Sequence, residues 1–515
     1  MTQQPPNSRA PILPYAIDRL QPLERRIWCN RNLNLASIRA IGFDMDHTLA
    51  LYRAERFEGL VFKAALERLI AQRWCAPQTR ALRYDPHFTI RGLVVDKARG
   101  NVLKMDRNNY VTTAFHGRRR LTLQERKTLY RNQRIDLDDP AYASTDTFFG
   151  LADVALYNAL VDWHDRQRAA RDWAELFEQV RAAADDVHRD GPVKPQVLTQ
   201  PARFFRRDPR LPQTLDQFRR AGKQLFLLTN SEPFYSDGVM GFLLDGRLPG
   251  YPSWRDYFDV VVMAARKPDF FSAGAALVPQ PQAAGSYTGG NMRQLEELLG
   301  YSGDALLYFG DHTYGDILRG KKSGWRTAMI VIELEKEIAV ERRFGAASRR
   351  MRRLAERRRQ LELRRAERFL AGLPGQGAAG PALQGLERQA LVLRQRIEAQ
   401  ERAIYLAHNP RWGRLFKEFG TLSRFGRQVK TFACIYTSRV SNFLGYPPDH
   451  YFAAAEDWMP HEPPVQEQVE TDPIRSRKSE PSAPTTAKSR PRPRAAKATR
   501  KGGSGKAPRQ IASPR

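Results

Sequence analysis

Apolar and polar positions along this chain predict several buried strands, each followed by a polar cluster. The apolar runs lie within 41–48, 225–231, 260–268 and 305–316, and each run ends in charged, hydroxyl or amide side chains. Short apolar runs with such ends are typical of strands in the core of an α/β protein. In open α/β sheets the ligand crevice lies outside the carboxyl ends of the strands. The pattern therefore predicts an α/β protein with a site at the carboxyl ends of its strands.

The first cluster holds two carboxylates, Asp44 and Asp46, directly after the apolar run. Residues two apart share one face of a strand, so both side chains can point into the same crevice. Crowded carboxylates repel each other, so a cation between them is expected, and Mg²⁺ prefers oxygen ligands of this kind. Taken alone, the motif could also be a solvated strand end capped by Thr48.

The other three clusters supply groups that suit a phosphate. Residues 225–231 end in Thr229 and Asn230, whose hydroxyl and amide can hold phosphate oxygens. Lys267 follows the third run as a point charge, and Asp311 ends the fourth. A lysine before proline is usually a surface residue and Gly-Asp is usually a turn. Four such strand ends in this order are hard to explain as turns.

This ordered set resembles the haloacid dehalogenase-like superfamily of phosphotransferases and, within it, the cytosolic purine 5′-nucleotidase family. The resemblance runs from about residue 25 to about 463, and its motifs lie at 43–50, 91–96, 265–271, 310–318, 324–327 and 459–462. It implies a Rossmann-like doubly wound parallel sheet, an inserted α+β cap domain and a C-terminal helical extension.

The resemblance also implies roles for the first carboxylates. Asp44 would attack the phosphorus of a monoester and form an aspartyl-phosphate. Asp46 would protonate the leaving alkoxide and then activate water. Mg²⁺ would be held by Asp44, the main-chain carbonyl of Asp46 and Asp311, while Asp316 would orient its water shell.

Three further residues complete the implied catalytic group, namely Thr229, Asn230 and Lys267. Thr229 and Lys267 would neutralise charge on the transferring phosphoryl group, which is the main source of catalysis in such reactions.

The interval between Thr48 and Leu225, about 175 residues, is too long for a loop and predicts a cap domain. Residues 90–115 read as strands around a Gly100-Asn101 turn, and residues 148–187 read as mostly helical. In the resembling family the cap selects the substrate.

The resemblance implies four substrate-binding residues in this cap. Phe149 would stack on a base, and Arg181, Asp185 and Lys194 would face the base and phosphate. Arg181 and Asp185 are four apart on a predicted helix, so they are neighbours and could read a purine edge. The alternative is an ordinary surface salt bridge.

The chain departs from the family at three positions. Asp146 replaces an amide and Gly150 replaces an asparagine, which bears on base choice and effector binding. His47 replaces a tyrosine, and we assign it no role.

The segments that follow the core are less apolar. Residues 333–370 and 382–407 predict a charged helical hairpin broken by a Gly/Pro/Ala-rich stretch, suited to a stalk or a subunit contact. The aromatic-rich segment 411–462 is expected to pack back on the core. The predicted domains are 1–35, an N-terminal segment; 36–55 with 195–335, the catalytic core; 56–194, the cap; 336–410, the hairpin; 411–463, a C-terminal helical segment; and 464–515, a disordered basic tail.

Composition sets the frame for these expectations. The chain has 515 residues, of which 42% are hydrophobic, enough for a large core in two or three domains. No run reaches the length of a membrane span, and the N-terminus lacks the pattern of a secretory signal. Three scattered cysteines indicate neither a disulfide framework nor a zinc site. A reducing cytoplasm is the expected location.

The net charge of +28 is not confined to the tail. Residues 471–515 carry 13 Lys/Arg and 2 Asp/Glu, a net of +11, which leaves +17 on the rest. Such charge attracts polyanions without reading their sequence, so the tail predicts a weak polyanion contact, with a merely solvating tail as the alternative.

The sequence thus predicts a Mg²⁺-dependent 5′-nucleotidase acting on nucleoside 5′-monophosphates, with IMP or GMP as the expected purine substrates, and a homo-oligomer. Transfer to a nucleoside instead of water shares the first half-reaction, so the sequence leaves it open. A phosphatase for another small monoester would also fit the motifs. So would a basic nucleic-acid-binding or scaffold protein with a phosphatase-like fold.

Overall fold

A computed structural model describes residues 20–131, 133, 135–168, 171–189, 191–272, 275–371 and 381–455, without the side chains of 371 and 381–383. All of these residues lie in the first of two compact units, Met1–Glu456 and Asp457–Arg515. The predicted basic tail and the motif at 459–462 lie outside the described residues. Within the described ranges, no helix combines the length and the apolar composition needed to cross a membrane.

The strands are numbered in chain order. Strands β1 to β20 span Trp28–Cys29, Leu33–Asn34, Ala40–Phe43, Leu51–Tyr52, Leu93–Asp96, Asn101–Met105, Val111–His116, Arg119–Arg120, Tyr142–Thr145, Phe205–Arg206, Gln224–Leu228, Val260–Met263, Leu277–Pro279, Ser286–Gly289, Leu306–Gly310, Arg326–Ile330, Lys417–Glu418, Thr421–Leu422, Ile435–Thr437 and Tyr451–Phe452.

The α-helices are numbered in the same way. Helices α1 to α14 span Ala54–Ala71, Leu123–Tyr130, Phe149–Arg166, Trp173–Arg189, Val193–Thr199, Pro201–Phe204, Leu211–Arg220, Pro233–Leu244, Met292–Leu299, Arg319–Lys322, Leu334–Arg343, Gly345–Ala371, Pro381–His408 and Arg424–Phe432. A short π-helix, Thr313–Leu318, precedes α10.

A nine-stranded sheet in the order β1-β19-β16-β15-β3-β11-β12-β14-β13 forms the centre of the molecule. Only its two edge strands, β1 and β13, pair antiparallel to their neighbours. Strands β3, β12 and β15 are buried along their whole length, as expected for strands covered by helices on both faces. The predicted α/β fold with a doubly wound parallel sheet is confirmed.

The interval between β4 and β10 carries a second sheet. This antiparallel sheet has the order β8-β7-β6-β5-β9. Strands β5 and β6 pair from Asp96 opposite Asn101, and Gly100 in the turn between them has a φ of 67°, which favours glycine. Helices α1, α3 and α4 follow or precede this sheet in the chain and bury their apolar faces in the main core cluster.

The chain after α11 contains a charged antiparallel pair of helices, α12 and α13, and then a mixed segment. The prediction of a helical segment at 411–463 is wrong at Ile435–Thr437. These residues form β19, which pairs in parallel with β16. Its β-branched and aromatic residues fit a pleated strand, and the edge of β16 offers the unpaired backbone groups. In the described part of this segment, the residues that do form an α-helix are those of α14.

Two buried ion pairs connect the second sheet to the C-terminal segment. Asp146, after β9, accepts hydrogen bonds from both terminal nitrogens of Arg424 at 2.6 and 2.8 Å and a third from Gln428. Lys104 on β6 lies 2.6 Å from the carboxylate of Glu418 and also donates to two main-chain carbonyls. Charged groups this deep are tolerated because every charge is paired.

We expect Arg424→Met to lower the free energy of unfolding by about 3–5 kcal/mol, because it leaves the buried Asp146 carboxylate without its cation. Burial by itself would raise the pKa of Asp146, but the Arg424 guanidinium outweighs it and holds this pKa below the usual value. The ionised carboxylate therefore stabilises the fold above about pH 4, and this contribution is lost as the pH falls through the lowered pKa.

Urea unfolding at pH 7 and at pH 3 measures both effects. The matched control is the double variant Asp146→Asn with Arg424→Met, which removes both charges and should recover part of the loss. Equal stability of wild type and Arg424→Met at pH 7 would contradict this interpretation of the pair.

Candidate active site

Four loops meet where the neighbouring parallel strands β15, β3, β11 and β12 end. Asp44 follows β3, Thr229 follows β11, Lys267 follows β12 after a short loop, and Asp311 follows β15. The strands are in register and parallel, so these side chains arrive at the same edge of the sheet. The four predicted clusters therefore lie together.

Lys267 is the central cation of this edge. Its ammonium lies 3.0 Å from Oδ1 of Asp44 and 2.8 Å from Oδ1 of Asp316. It also donates to the hydroxyl of Tyr308 at 2.8 Å and to the main-chain carbonyl of Leu228 at 3.1 Å. Burial lowers the pKa of Lys267, but the carboxylates of Asp316 and Asp44 outweigh burial and hold it well above its usual value.

Asp44, Asp311 and Asp316 form an acidic cluster that fits a divalent cation. Each offers one carboxylate oxygen, and these oxygens lie within 4.8 Å of one another. Oδ2 of Asp311 is buried and has no hydrogen-bond partner, while the Arg91 guanidinium lies 3.9 Å from it. Oxygen donors grouped around an unsatisfied buried carboxylate are the donor set that Mg²⁺ takes.

The protonation of this cluster reflects its crowding. Burial, followed by the neighbouring Asp316 and Asp46 charges, raises the pKa of Asp44 to about 7 despite the opposing effect of Lys267. Burial also raises the pKa of Asp311 well above its usual value, with Arg91 opposing. A bound cation would stabilise the ionised forms of both groups.

Asp46 is held in one orientation by two hydroxyl groups. Tyr52 donates to its Oδ1 at 2.6 Å and Ser231 donates to its Oδ2 at 2.6 Å. Tyr52 in turn shares a hydrogen bond of 2.9 Å with Tyr235. Burial raises the pKa of Asp46, and the two donated hydrogen bonds oppose that shift. The structure does not place Asp46 in the three-carboxylate cluster, consistent with the expectation that it offers its main-chain carbonyl.

Thr229 and Asn230 lie between Asp46 and Lys267. The buried Thr229 side chain accepts a hydrogen bond from the main-chain N–H of Ser231 at 3.2 Å. The Asn230 amide pairs with the backbone of Lys267, accepting from its N–H at 2.6 Å and donating to its carbonyl at 3.0 Å. Asn230 therefore fixes the Lys267 loop instead of pointing a free donor into the crevice.

The loops around these groups adopt costly backbone conformations. His47, Ala264 and Arg266 all have positive φ angles, of 56°, 49° and 58°. Non-glycine residues in this region cost on the order of 1–3 kcal/mol each and cluster at functional sites. At Gly310 a side chain is excluded, because a Cβ there would lie 2.6 Å from the carboxylate of Asp316.

Phe149 lies beside this site at the start of α3. Its ring meets that of His47 edge-on at 5.2 Å and that of His188 at 5.6 Å. His47 also stacks on Phe148 at 4.5 Å. Burial lowers the pKa of His47 to about 3, so this ring is neutral and packs as an aromatic group.

The other three predicted substrate residues have different surroundings. Lys194 pairs with Glu232, and its ammonium lies 5.7 Å from the ring centroid of Tyr235. Arg181 and Asp185 are exposed on α4. Both affect the pKa of Asp153 on α3. Burial raises this pKa to about 7, the charge of Arg181 opposes the rise, and the charge of Asp185 adds to it.

Several residues of the site are not predicted by the sequence. Ser231 ends the segment 225–231 and His188 lies between Asp185 and Lys194, but each gains a role only from its partner in the fold. Tyr52 follows the first motif. Asp153 lies one helical turn after Phe149, and this spacing could have identified it from the sequence. Arg91 belongs to the family-like stretch 91–96 and donates to the main-chain carbonyl of Asp311 at 2.8 Å.

Comparison with known proteins gives consistent relatives. The model of the 5′ nucleotidase family matches residues 27–464. A 5′-nucleotidase domain-containing protein of Dictyostelium discoideum is 28% identical over 459 residues, covering 85% of this chain and 74% of that protein. The 5′-nucleotidase domain-containing protein 2 of Rattus norvegicus is 28% identical over 476 residues, covering 85% of this chain and 80% of that protein.

Solved structures overlap only in part. A HAD phosphatase from Thermococcus onnurineus is 16% identical with a TM-score of 0.25, covering 57% of this chain and 87% of that chain. A β-phosphoglucomutase from a Pyrococcus strain is 9% identical with a TM-score of 0.28 and covers the same share of each chain. At such TM-scores the overlap supports no argument about function.

The family assignment rests on the sequence match, which spans most of the chain and includes every carboxylate of the cluster. It confirms the resemblance noted in the sequence and makes the protein a phosphoric monoester hydrolase of the nucleotidase type. The chain belongs to the 5′ nucleotidase family.

Proposed function

We propose that this protein is a Mg²⁺-dependent 5′-nucleotidase that hydrolyses nucleoside 5′-monophosphates, with a preference for purines, through an aspartyl-phosphate. The observation that carries the proposal is the arrangement around Asp44. One of its oxygens is held by Lys267 at 3.0 Å, and the carboxylates of Asp311 and Asp316 lie beside it. An anionic nucleophile and a cation at one strand end suit attack on a phosphate monoester.

The first half-reaction forms a bond between a carboxylate oxygen of Asp44 and phosphorus, while the bond from phosphorus to the ester oxygen breaks. Asp46 gives its proton to the leaving alkoxide. Its raised pKa supports this role, since burial favours the protonated form of the carboxyl group. In the second half, Asp46 takes a proton from water, which attacks phosphorus and releases Asp44 and phosphate.

Asp44, Asp311 and the main-chain carbonyl of Asp46 would hold Mg²⁺, and Asp316 would order its water shell. When bound, the ion would neutralise charge on the phosphoryl oxygens. Lys267 supplies a further positive charge beside Asp44, and Asn230 fixes the loop that carries it. Phosphoryl transfer to a nucleoside would use the same first half-reaction.

We infer a base site around Phe149, because the side chains there suit a purine. The half-exposed Phe149 ring offers a stacking face, and His188 meets its edge. Arg181, Asp185 and Asp153 gather donors and acceptors on the facing surfaces of α3 and α4, which suits the carbonyl and N–H edge of a purine. The positive charge of Lys194 acts on Asp46 and opposes the rise in pKa that burial causes there.

We expect Asp44→Asn to reduce phosphate release by at least about a thousandfold while the fold is retained, because the nucleophile is lost and its shape is kept. Phosphate release and circular dichroism measure the two parts. The matched control is Asp138→Asn, which makes the same change at an exposed loop carboxylate. Activity retained in Asp44→Asn would contradict the proposed mechanism.

We expect release to be highest with IMP or GMP in a panel that also contains AMP, UMP and sugar phosphates, and to vanish with EDTA. Arg181→Gln should then raise the KM for the purine nucleotide about tenfold and leave sugar phosphate turnover unchanged, because only the base loses a partner. Activity on sugar phosphates alone would support the proposed phosphatase chemistry and contradict the proposed base site.

A further inference from the structure

A cavity of about 240 Å³ has a lining that includes neither Lys267 nor any carboxylate of the candidate active site. Its walls come from the start of α1, the segment 84–90, the start of α11 and the end of α13 with the residues that follow. The nucleotidase reaction proposed above uses none of the polar groups in these walls. Its volume suits a small molecule of roughly a dozen non-hydrogen atoms or fewer.

The cavity contains a buried carboxylate with a free oxygen. Glu58 on α1 is 5% exposed, and the Tyr84 hydroxyl donates a hydrogen bond to its Oε2. Its Oε1 has no hydrogen-bond partner. Burial raises the pKa of Glu58 to about 7, with the Tyr84 hydrogen bond opposing. A buried acceptor without a donor is costly, so a ligand that donates to Oε1 would be stabilised there.

The charge of the walls selects a cation. The carboxylates of Glu55, Glu58, Glu333 and Glu337 line the cavity, against the side chains of Lys336 and His408. His408 Nδ1 lies 3.1 Å from a carboxylate oxygen of Glu337, and Glu333 is bound by Arg91. Of the remaining charged groups, Glu58 is buried while Glu55 and Lys336 are exposed, so the two carboxylates of α1 outnumber the single lysine.

The remaining walls are apolar, which distinguishes an organic cation from a metal ion. Ile90, Phe148, Leu151 and Leu415 form this part of the lining. A divalent ion would need six or more oxygen ligands. Among the described residues that line the cavity, the buried carboxylate oxygen without a hydrogen-bond partner is Oε1 of Glu58. An alkyl chain with an ammonium at each end matches both the apolar wall and the two carboxylates of α1.

Two direct contacts join this cavity to the active site. Glu333 accepts two hydrogen bonds from Arg91, at 2.8 and 2.6 Å, and Arg91 donates to the main-chain carbonyl of Asp311. On the other side, the Phe148 ring that lines the cavity stacks on His47, the residue after Asp46. A ligand that shifts Glu333 or Phe148 therefore moves a neighbour of a catalytic carboxylate.

We propose that this cavity binds a small aliphatic diamine through Glu58 and Glu55, and that the bound diamine changes turnover at the Asp44 site through Arg91 and Phe148. The ammonium inside the cavity would donate to Oε1 of Glu58, and the methylene chain would pack on the apolar wall. Binding and catalysis would be coupled, so saturating nucleotide should shift the affinity for the diamine by the same factor.

The test is calorimetric titration of the full-length protein with 1,4-diaminobutane at fixed ionic strength, with no nucleotide present. We expect saturable binding that Glu58→Gln weakens about tenfold, since it removes a charge-assisted hydrogen bond and keeps the shape. Ala54→Met narrows the cavity from the half-buried start of α1 without changing charge, and should weaken binding as well.

Two controls separate this site from general charge attraction. Glu297→Gln removes one exposed carboxylate of α9, far from the cavity lining, and should bind as wild type. The uncharged 1,4-butanediol has the same chain and should not bind. No binding to wild type, equal binding of the diol, or unchanged binding in both Glu58→Gln and Ala54→Met would overturn the site.

Phosphate release with and without 1,4-diaminobutane tests the coupling. We expect the diamine to change the rate at least twofold in wild type and in Glu297→Gln, and to leave Glu58→Gln and Ala54→Met unaffected. Binding without any change in rate would overturn the coupling. The calorimetric result does not depend on turnover, so it stands apart from a failure of the nucleotidase proposal.

Discussion

The buried charge of Lys267 is the interaction on which the rest of this site depends. Asp44, Asp46, Asp311 and Asp316 are all nearly inaccessible to solvent at one strand edge. Four carboxylates at such short range cannot all ionise without compensation, as the raised pKa values of Asp44, Asp46 and Asp311 show. Lys267 contacts two of them and Arg91 approaches a third. A divalent cation would supply the remaining positive charge, so the same cluster that destabilises the fold provides its metal affinity.

The second sheet is anchored to the core and C-terminal segment by buried charges. Arg91 lies under the rings of Phe148 and Phe425 and reaches both Glu333 and the loop of Asp311. Asp146 is bound by Arg424, and Lys104 by Glu418. These contacts connect the second sheet and the residues beside it to the loop of Asp311 and to the C-terminal segment. The carboxylate of Asp146 balances the charge of Arg424, which a neutral amide at this position could not do.

The sequence predicts what is local and misses what is assembled from distant parts. Asp44, Thr229, Lys267 and Asp311 each follow an apolar run, and the rule that parallel strands end at one edge is enough to bring them together. Ser231 and Tyr52 gain a role only by meeting Asp46, which depends on how loops cross in space. Arg424 lies 278 residues from Asp146, and no pattern connects them. Strand β19 has three residues, too few for any periodicity, so the sequence alone cannot separate it from the helical segment around it.

The ends of the described chain close on each other, because β1 pairs with β19 and β2 with β20. During synthesis, every catalytic carboxylate has left the ribosome once residue 316 has emerged. The edge of the sheet at β16 nevertheless stays open until residue 437 emerges. The nascent chain must therefore wait for about a hundred further residues with an unpaired, apolar strand exposed. Prolonged contact with chaperones, and aggregation of chains truncated in the helical pair, follow from this order of assembly.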